Sequence, residues 1–222
     1  MCLHEEKASF RYPWNIHMYL IFPLAAITLF TAFAFGWQGE GPYHVFTEFR
    51  AAYPFLSRVF HSITDWGNPL LYCIYVMLLI RAIRTGDIKI IWNIVCVLIL
   101  SLLFLGIFLQ LLKYGLGMPR PGIPWPPRPW SSAAYTSFPS GHTANILVSV
   151  IPLGIWIRDL RFRTLLSLLA ACMGISRIWL GVHHPVDIAG SIVFGSVAAW
   201  CIVCFASSGF GRIHMKTIKE KA

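Results

Sequence analysis

Three ionisable residues near the end of an apolar run have the types and spacing needed for chemistry. Arg177, His183 and Asp187 form the pattern R-x5-H-x3-D in the stretch SRIWLGVHHPVD. Ionisable residues in apolar segments cost free energy and are usually functional. Residues four apart share a helix face, so Asp187 is expected to accept a hydrogen bond from one ring nitrogen of His183 and leave the other free. The pattern predicts an oriented imidazole that acts as a nucleophile or a base.

Two further polar clusters occur earlier in the chain, also at the ends of apolar runs. The first contains Lys113 and Arg120, and the second is Ser140-Gly141-His142. Taken singly, these residues have ordinary explanations: a lysine that reaches the interface from a helix end, a helix N-cap, and a polar residue at a helix start. All three clusters are expected at the same end of the helices, however, and together they predict one shared site.

The shared site is predicted to bind an anion such as phosphate. Ser140 is expected to cap the helix that begins TANILVSV, so that its hydroxyl group and the amides of Gly141 and His142 lie at the positive end of the helix dipole. Three cationic side chains are expected to converge there: Lys113, Arg120 and Arg177. Arginine can bind two phosphate oxygens at once. A phosphate group with a charge of about −1.5 to −2 would be well matched to this site.

The two histidines are predicted to divide the catalytic work. His183, oriented by Asp187, would attack phosphorus, and His142 would protonate the departing oxygen and later activate water. The cations and amides would stabilise charge on the equatorial oxygens, and no metal is required. One alternative nucleophile is His184, although the i,i+4 spacing favours His183. A metal bound by His142, His183, His184 and Asp187 is a second alternative, which the nearby cations would oppose.

The helices that must position these residues are predicted from composition and hydropathy. Hydrophobic residues make up 57% of the 222 and charged residues only 12%, which indicates a membrane protein. A run of about 20 apolar residues can cross a bilayer. Six runs are found: Met18–Trp37, Ile63–Ile80, Ile90–Leu112, Thr143–Ile157, Thr164–Val182 and Val186–Ala206. The predicted fold class is all-α, a polytopic membrane bundle of six transmembrane helices in one domain, residues 1–222. The first run could instead be a signal peptide, but its length favours an uncleaved span.

The basic residues predict the orientation of the chain. The formal net charge is +9, yet two thirds of the lysines and arginines fall on one side of the membrane, which argues against a nucleic-acid partner. They are Lys7, Arg11, Arg81, Arg84, Lys89, Arg158, Arg161, Arg163, Arg212, Lys216, Lys219 and Lys221. By the positive-inside rule both termini are predicted to be cytoplasmic. The site is then predicted to face the periplasm or outside of the cell inner membrane.

Two segments between the spans are predicted to lie at the outer interface. From Val45 to Ile63 apolar residues recur at steps of three or four, an amphipathic pattern that Pro54 should break into two short helices. The proline-rich loop from Lys113 to Ser140 also contains two tryptophans and is expected to be stiff and interfacial.

The three clusters resemble the three-part signature of the type-2 phosphatidic-acid phosphatase superfamily. All three parts are complete and in order: Lys113-x6-Arg120-Pro121, Pro139-Ser140-Gly141-His142 and Arg177-x5-His183-x3-Asp187. The resemblance implies a metal-independent phosphatase of lipid phosphates or pyrophosphates that needs no cofactor and works through a phosphohistidine intermediate. By that similarity, His183 would be the nucleophile, Asp187 its orienting partner and His142 the acid. The phosphate would be held by Lys113, Arg120, Ser140, Gly141 and Arg177.

The resemblance leaves the substrate open among envelope lipids. Lipid A, phosphatidylglycerol phosphate and a polyprenyl pyrophosphate are the expected candidates, and the expected partners are such a lipid and the bilayer itself. A lipid-to-lipid phosphotransferase would use the same site and remains an alternative. A non-enzymatic flippase or anion-binding membrane scaffold would explain the spans and cations, but it would leave both histidines without a role. The oligomeric state stays open.

Overall fold

The computed structural model describes residues 10–219, and these form an all-helical bundle without a strand. The helices are α1 (Trp14–Phe35), α2 (Glu40–Ala52), α3 (Pro54–Thr85), α4 (Ile88–Leu103), α5 (Leu109–Leu116), α6 (Gly141–Trp156), α7 (Leu160–Trp179) and α8 (Pro185–Lys219). A five-residue π-helical segment, Phe104–Phe108, joins α4 to α5, so these two helices form one continuous rod. The predicted all-α membrane bundle is therefore confirmed.

Within residues 10–219, five helical segments are long and apolar enough to cross a membrane. They are Trp14–Phe35, Pro54–Thr85, Ile88–Leu116, Leu160–Trp179 and Pro185–Ser208. Large apolar side chains cover the outside of the bundle, and Phe33 and Leu102 are 78% and 73% exposed. Surfaces of this kind are stable only against lipid or another protein. The chain is accordingly a multi-pass membrane protein.

The sixth apolar helix, α6, is shorter than the other five and lies at the centre of the bundle. It has 16 residues, and it packs against α1, α3, α4, α7 and α8. Its side chains Ile146, Leu147, Val150 and Ile151 are fully buried. This helix presents almost no lipid-facing surface, and its first turn lies at the polar clusters described below.

Short sequence signals set the helix ends on which the site depends. At the start of α4, Asp87 accepts a hydrogen bond from the amide of Ile90, and Asp159 does the same for Phe162 at the start of α7. Both are N-caps that satisfy an amide left free at a helix start. α5 stops at Gly117, whose φ of +58° is the left-handed conformation that glycine adopts most readily.

The interfacial segment after α1 differs from the prediction in its second half. The break at Pro54 is confirmed, because α2 ends at Ala52 and Pro54 begins the next helix. The prediction of a second short helix is wrong, since α3 continues without interruption to Thr85. Proline lacks an amide hydrogen and has a helical φ, so Pro54 can both end the preceding helix and occupy the first position of the next. That next helix continues into the apolar run Ile63–Ile80, which forms part of the same α3.

The polar clusters lie at one end of the bundle, where α1, α5 and α7 end and α3, α6 and α8 begin. We call this the site end. Basic residues are frequent at the opposite helix ends, where the chain turns from α3 to α4 and from α6 to α7: Arg81, Arg84, Lys89, Arg158, Arg161 and Arg163. Lys7 and Lys221, which also entered the charge argument, lie outside the described residues.

Candidate active site

His183 and Asp187 form a buried pair at the start of α8. Their side chains are 2% and 1% exposed, and His183 Nδ1 lies 3.3 Å from Asp187 Oδ2. The expectation that both residues belong to one helix is wrong, because α8 begins at Pro185 and His183 lies in the turn before it. The two residues meet nevertheless, since the turn brings the ring back over the first turn of α8. With Nδ1 facing the carboxylate, Nε2 is on the far side of the ring.

Asp187 is held in place by two further donors that the sequence analysis missed. The hydroxyl of Ser137 donates a hydrogen bond to Asp187 Oδ2, and the backbone amide of His184 donates to the same oxygen at 2.8 Å. Ser191 fixes the backbone, because its hydroxyl donates to the carbonyl oxygens of Ser140 at 2.9 Å and Asp187 at 2.7 Å. The sequence signal for Ser191 is its position four residues after Asp187, and Ser137 lies three residues before Ser140.

Two of the predicted phosphate-binding cations contact the loops around the pair. Lys113, which is 8% exposed, donates from Nζ to the carbonyl oxygen of Thr136 at 2.9 Å. Arg120 donates from Nη1 to the carbonyl of Val182 at 3.3 Å, next to His183. Lys113 and Arg120 therefore reach the residues on either side of the His183–Asp187 pair, although they come from a different part of the chain.

The loop after α5 folds back on itself and thereby places Arg120 and Ser137. Its backbone pairs Arg128 N with Gly117 O at 2.8 Å, Arg120 N with Ala134 O at 2.9 Å, and Ser137 N with Met118 O at 3.0 Å. Gly117 makes this fold possible, because a Cβ there would lie only 2.3 Å from the carbonyl carbon of Arg128. This backbone pairing is a second reason, besides the prolines, to expect a stiff loop.

Arg177 is a buried cation with an unsatisfied donor. The residue is 8% exposed, and its Nε has no hydrogen-bond partner. A buried charged donor without a partner carries a large free-energy cost. Arg177 interacts electrostatically with Arg120 and Lys113, both of which also interact with Asp187. Arg177 also interacts with Asp65, so the three cations lie close together with two carboxylates near them. Positive charge is in excess here, as the predicted anion site requires.

The N-terminus of α6 agrees with the predicted anion site in position but not in the capping hydrogen bond. Ser140 is the N-cap residue and is fully buried, yet its hydroxyl makes no bond to an amide of α6. It accepts a hydrogen bond from the hydroxyl of Thr143 at 3.2 Å instead, while the amide of Ser140 donates to Asp187 O at 3.2 Å. The amides of Gly141 and His142 occupy helix positions that have no partner within the helix.

His142 lies on the accessible side of the site. It is exposed, and it interacts electrostatically with Arg177, Lys113 and Asp65. Its carbonyl oxygen accepts a long hydrogen bond of 3.4 Å from Asn68 on α3. The two histidines therefore differ in environment, because His183 is enclosed against Asp187 while the ring of His142 meets solvent.

Burial sets the charge state of the histidines in the turn before α8. It lowers the pKa of His183 to about 4, although the hydrogen bond and charge of Asp187 act in the opposite direction. The pKa of His184 is also lowered, again by burial. His183 is therefore a neutral imidazole near pH 7, with an unshared electron pair available for attack or proton transfer. His184 is buried as well, and its Nδ1 has no partner.

The arrangement supplies an oriented imidazole, an exposed second histidine, three cations and free helix amides at one end of the bundle. Among the described residues, no three histidine, cysteine, aspartate or glutamate side chains are grouped as metal ligands. The fold and the site together define a class: a multi-pass membrane protein with a cluster of cations beside a buried histidine–carboxylate pair.

Comparison with protein families gives the same class a name. The family model described as the PAP2 superfamily matches residues 94–209, just over half of the chain. The chain belongs to this superfamily. The match contains all three clusters of the site, while α1, α2 and α3 lie before it.

Three curated relatives align with parts of the chain. Undecaprenyl-diphosphatase BcrC of Bacillus subtilis is 35% identical over 74 residues, which cover 33% of this chain and 37% of the relative. The bacitracin transport permease protein BcrC of Bacillus licheniformis is 43% identical over 86 residues, 38% of this chain and 41% of the relative. Lipid A 1-phosphatase of Rhizobium etli is 29% identical over 102 residues, 43% of each chain. The chain thus aligns with about two fifths of each relative's length, and no solved structure matches it significantly.

Proposed function

We propose that the protein is a membrane lipid phosphatase that hydrolyses a phosphomonoester or pyrophosphate of an envelope lipid through a phosphohistidine at His183. The observation that carries this proposal is the buried, unsatisfied Nε of Arg177, which shares its site with the neutral, oriented ring of His183. An anion would satisfy the arginine, and its phosphorus would then lie within reach of a nucleophile.

In the proposed reaction, the free electron pair of His183 Nε2 attacks phosphorus as the bond from phosphorus to the lipid oxygen breaks. His142 gives its proton to that oxygen, so the lipid leaves as an alcohol or, from a pyrophosphate, as a monophosphate. His142 then removes a proton from water, the water oxygen attacks phosphorus, and the P–N bond breaks to release inorganic phosphate. Asp187 stabilises the positive charge that His183 gains in the first step.

The cations and amides supply the transition-state stabilisation in this scheme. Arg177, Arg120 and Lys113 offset the charge that spreads over the equatorial oxygens, and the amides of Gly141 and His142 can donate to the same oxygens. Every step uses side chains and backbone groups of the chain itself and water.

The substrate class and the orientation are part of the proposal. Two relatives carry the names undecaprenyl-diphosphatase and lipid A 1-phosphatase, which favours a polyprenyl diphosphate or a lipid A phosphate over a soluble phosphate. The basic residues at the helix ends opposite the site support a cytoplasmic location for that end. The site would then open on the periplasmic or outer face of the inner membrane.

A phosphate-release screen tests the proposal. Purified protein is assayed against undecaprenyl diphosphate, lipid A, phosphatidylglycerol phosphate and phosphatidic acid, with and without excess chelator. We expect chelator-resistant release from at least one lipid and loss of that release in His183→Ala. His61→Ala is the matched control, because His61 is an exposed histidine of α3.

Labelled substrate separates hydrolysis from its rivals. Lipid carrying a labelled phosphate should give an acid-labile phosphoprotein in wild type and free labelled phosphate at the end of the reaction. Label that accumulates in a second lipid would identify a phosphotransferase instead. Full turnover by folded His183→Ala protein, or no release from any lipid by wild type, would contradict the proposal.

A further inference from the structure

The interfacial helix α2 contacts both loops that carry predicted site residues. It lies before the part of the chain that the family model matches. Its buried residues, Pro42 and Phe46, face the bundle, and two of its polar side chains, Tyr43 and Arg50, extend to the loops. The contacts of these two side chains indicate what the helix does.

Arg50 completes the end of α7. Its Nη1 donates to the carbonyl oxygen of Trp179 at 2.6 Å. In a continuing helix that oxygen would receive the amide of His183, but the His183 amide donates to Arg177 O at 3.3 Å instead. Arg50 therefore satisfies a carbonyl that the chain leaves free, and it puts a positive charge at the negative end of the helix dipole. The bond is made four residues before His183.

Arg50 also covers the turn between α7 and His183. Gly181, in the middle of this turn, has a φ of +68°, and a Cβ there would lie 2.8 Å from Arg50 Nη1. The guanidinium group thus packs directly against the turn. The second terminal nitrogen of Arg50 is held as well, because Nη2 donates a hydrogen bond to the hydroxyl of Thr47 at 2.6 Å. The side chain is fixed between α2 and the turn.

Tyr43 makes the corresponding contact with the loop that carries Arg120. A Cβ on Gly122 would lie 3.1 Å from Tyr43 Cζ, so the ring packs on the backbone two residues after Arg120. The Arg50 guanidinium lies 5.9 Å from the centre of the same ring. A cavity of about 10 Å³ lies between α2 and the two loops, and His183, His184 and Pro121 help to line it.

Aromatic packing fixes α2 on the bundle. Trp179 is 7% exposed, and its ring lies 6.0 Å from those of Phe46 and Phe49 and 5.2 Å from that of Phe60 on α3. Its indole nitrogen donates to the hydroxyl of Ser57 at 3.0 Å. The residue whose carbonyl Arg50 binds is therefore itself an anchor point for α2 and α3.

We propose that α2 is a clamp that sets the distance between the Arg120 loop and the His183 turn, with Arg50 and Tyr43 as its two contacts. Arg50 is a positioning residue: it bonds to the backbone of the turn and acts through His183. The inference rests on the proposed function, since it assigns a purpose to α2 in that reaction. It predicts that residues outside the three motifs control the rate of phosphoryl transfer.

The test compares Arg50→Met with Arg58→Met on the lipid that wild type hydrolyses fastest. Arg58 lies on α3 over the ring of Phe55, at 5.9 Å, so its removal takes away the same charge from the same end of the protein. We expect Arg50→Met to lower kcat by about tenfold or more, because a small displacement of a reacting group has an effect of this size. KM should stay within about twofold, since no contact with the substrate is removed.

A fall in folded protein alone would also lower the measured rate, so kcat is divided by the fraction that elutes as folded protein. Arg50→Lys, which keeps one donor for the Trp179 carbonyl, should recover part of the lost kcat. Equal kcat for Arg50→Met, Arg58→Met and wild type would overturn the clamp.

If Arg50→Met does not fold, Thr47→Val decides the question. This variant removes the hydroxyl that holds Nη2 while keeping the charge of Arg50, and we expect a smaller fall in kcat with KM unchanged. Wild-type kcat in Thr47→Val would then overturn the clamp. An inactive wild type would overturn the proposed function and the clamp together. An active wild type whose variants have the same kcat would overturn the clamp alone.

Discussion

The hydroxyl of Ser137 donates a hydrogen bond to Asp187 Oδ2, the carboxylate oxygen that faces His183 Nδ1. Ser137 lies in the loop before α6 and is fully buried. It is also within 3.5 Å of His183 Nδ1, so one hydroxyl group touches both members of the pair. The loop that precedes α6 thus takes part in orienting the imidazole that the first turn of α8 supports.

Replacement of Ser137 by alanine should therefore slow catalysis without removing any group that meets the substrate. A hydrogen bond to a charged group is worth about 1.5–3 kcal/mol, which corresponds to roughly tenfold to 100-fold in rate. We expect Ser137→Ala to lower kcat within that range, measured as phosphate release at saturating lipid. Ser62→Ala, at an exposed serine of α3, is the control, and unchanged turnover in Ser137→Ala would show that Asp187 needs no third partner.

Much of this arrangement follows from the sequence because the candidate site residues are unusual types for an apolar segment. Charged side chains within apolar runs are costly, so Lys113, Arg177 and Asp187 identify themselves without a structure. Six apolar runs likewise predict the bundle, and five of the six are long membrane-type helices in the structure. The i,i+4 rule gave the right partner for His183 even though His183 lies outside the helix.

The contacts that the sequence does not reveal are those of ordinary residues brought together by the fold. Ser137 lies 50 positions from its partner Asp187. Ser191 lies four residues after Asp187, but its second partner, Ser140, is 51 positions away. The break at Pro54 was predicted correctly, but the helix that begins there runs on into the predicted span instead of ending as a short helix. Only packing decides between these outcomes.

Arg177 is predicted to destabilise the folded protein when no ligand is bound and to stabilise a bound anion. Its buried Nε lacks a partner, whereas Arg163 Nε at the other end of α7 donates to Gly154 O at 2.7 Å. Arg177→Met should therefore keep or raise the thermal midpoint of unfolding, while Arg163→Met should lower it. In the same assay, vanadate should raise the midpoint of wild type but not of Arg177→Met. A clear drop in the midpoint of ligand-free Arg177→Met would refute this account.

The low pKa of His183 predicts where activity is lost on the acid side. Burial lowers it to about 4, so the ring stays neutral as the pH falls from 7 to about 5 and gains a proton only near pH 4. Because the protonated ring cannot attack phosphorus, the limb of kcat/KM that reports His183 should lie near pH 4, not near its usual value of about 6.5. In Asp187→Asn the group that favours the charged ring is gone, and this limb should move to still lower pH while kcat falls.

The substrate gives the pH profile an internal reference. A phosphate group loses its second proton near pH 6, and that limb should be the same in wild type and Asp187→Asn. A His183 limb of kcat/KM with its midpoint near pH 6.5, or a midpoint that rises in Asp187→Asn, would contradict burial as the main cause of the low pKa of His183.

Gly117 is predicted to be required for phosphate binding although it touches no substrate. A Cβ at this position would lie 2.3 Å from backbone atoms of Arg128 and Pro129, and the φ of +58° is unfavourable for alanine. Gly117→Ala should push away the loop segment around Arg128 and Pro129 and so displace Arg120. We expect this displacement to raise KM and weaken vanadate binding. Gly115, two residues earlier and within α5, has open space around its Cβ position, so Gly115→Ala should be neutral or raise stability by about 0.5–1 kcal/mol. Equal KM values for the two variants would show that the loop can place Arg120 without this close backbone contact.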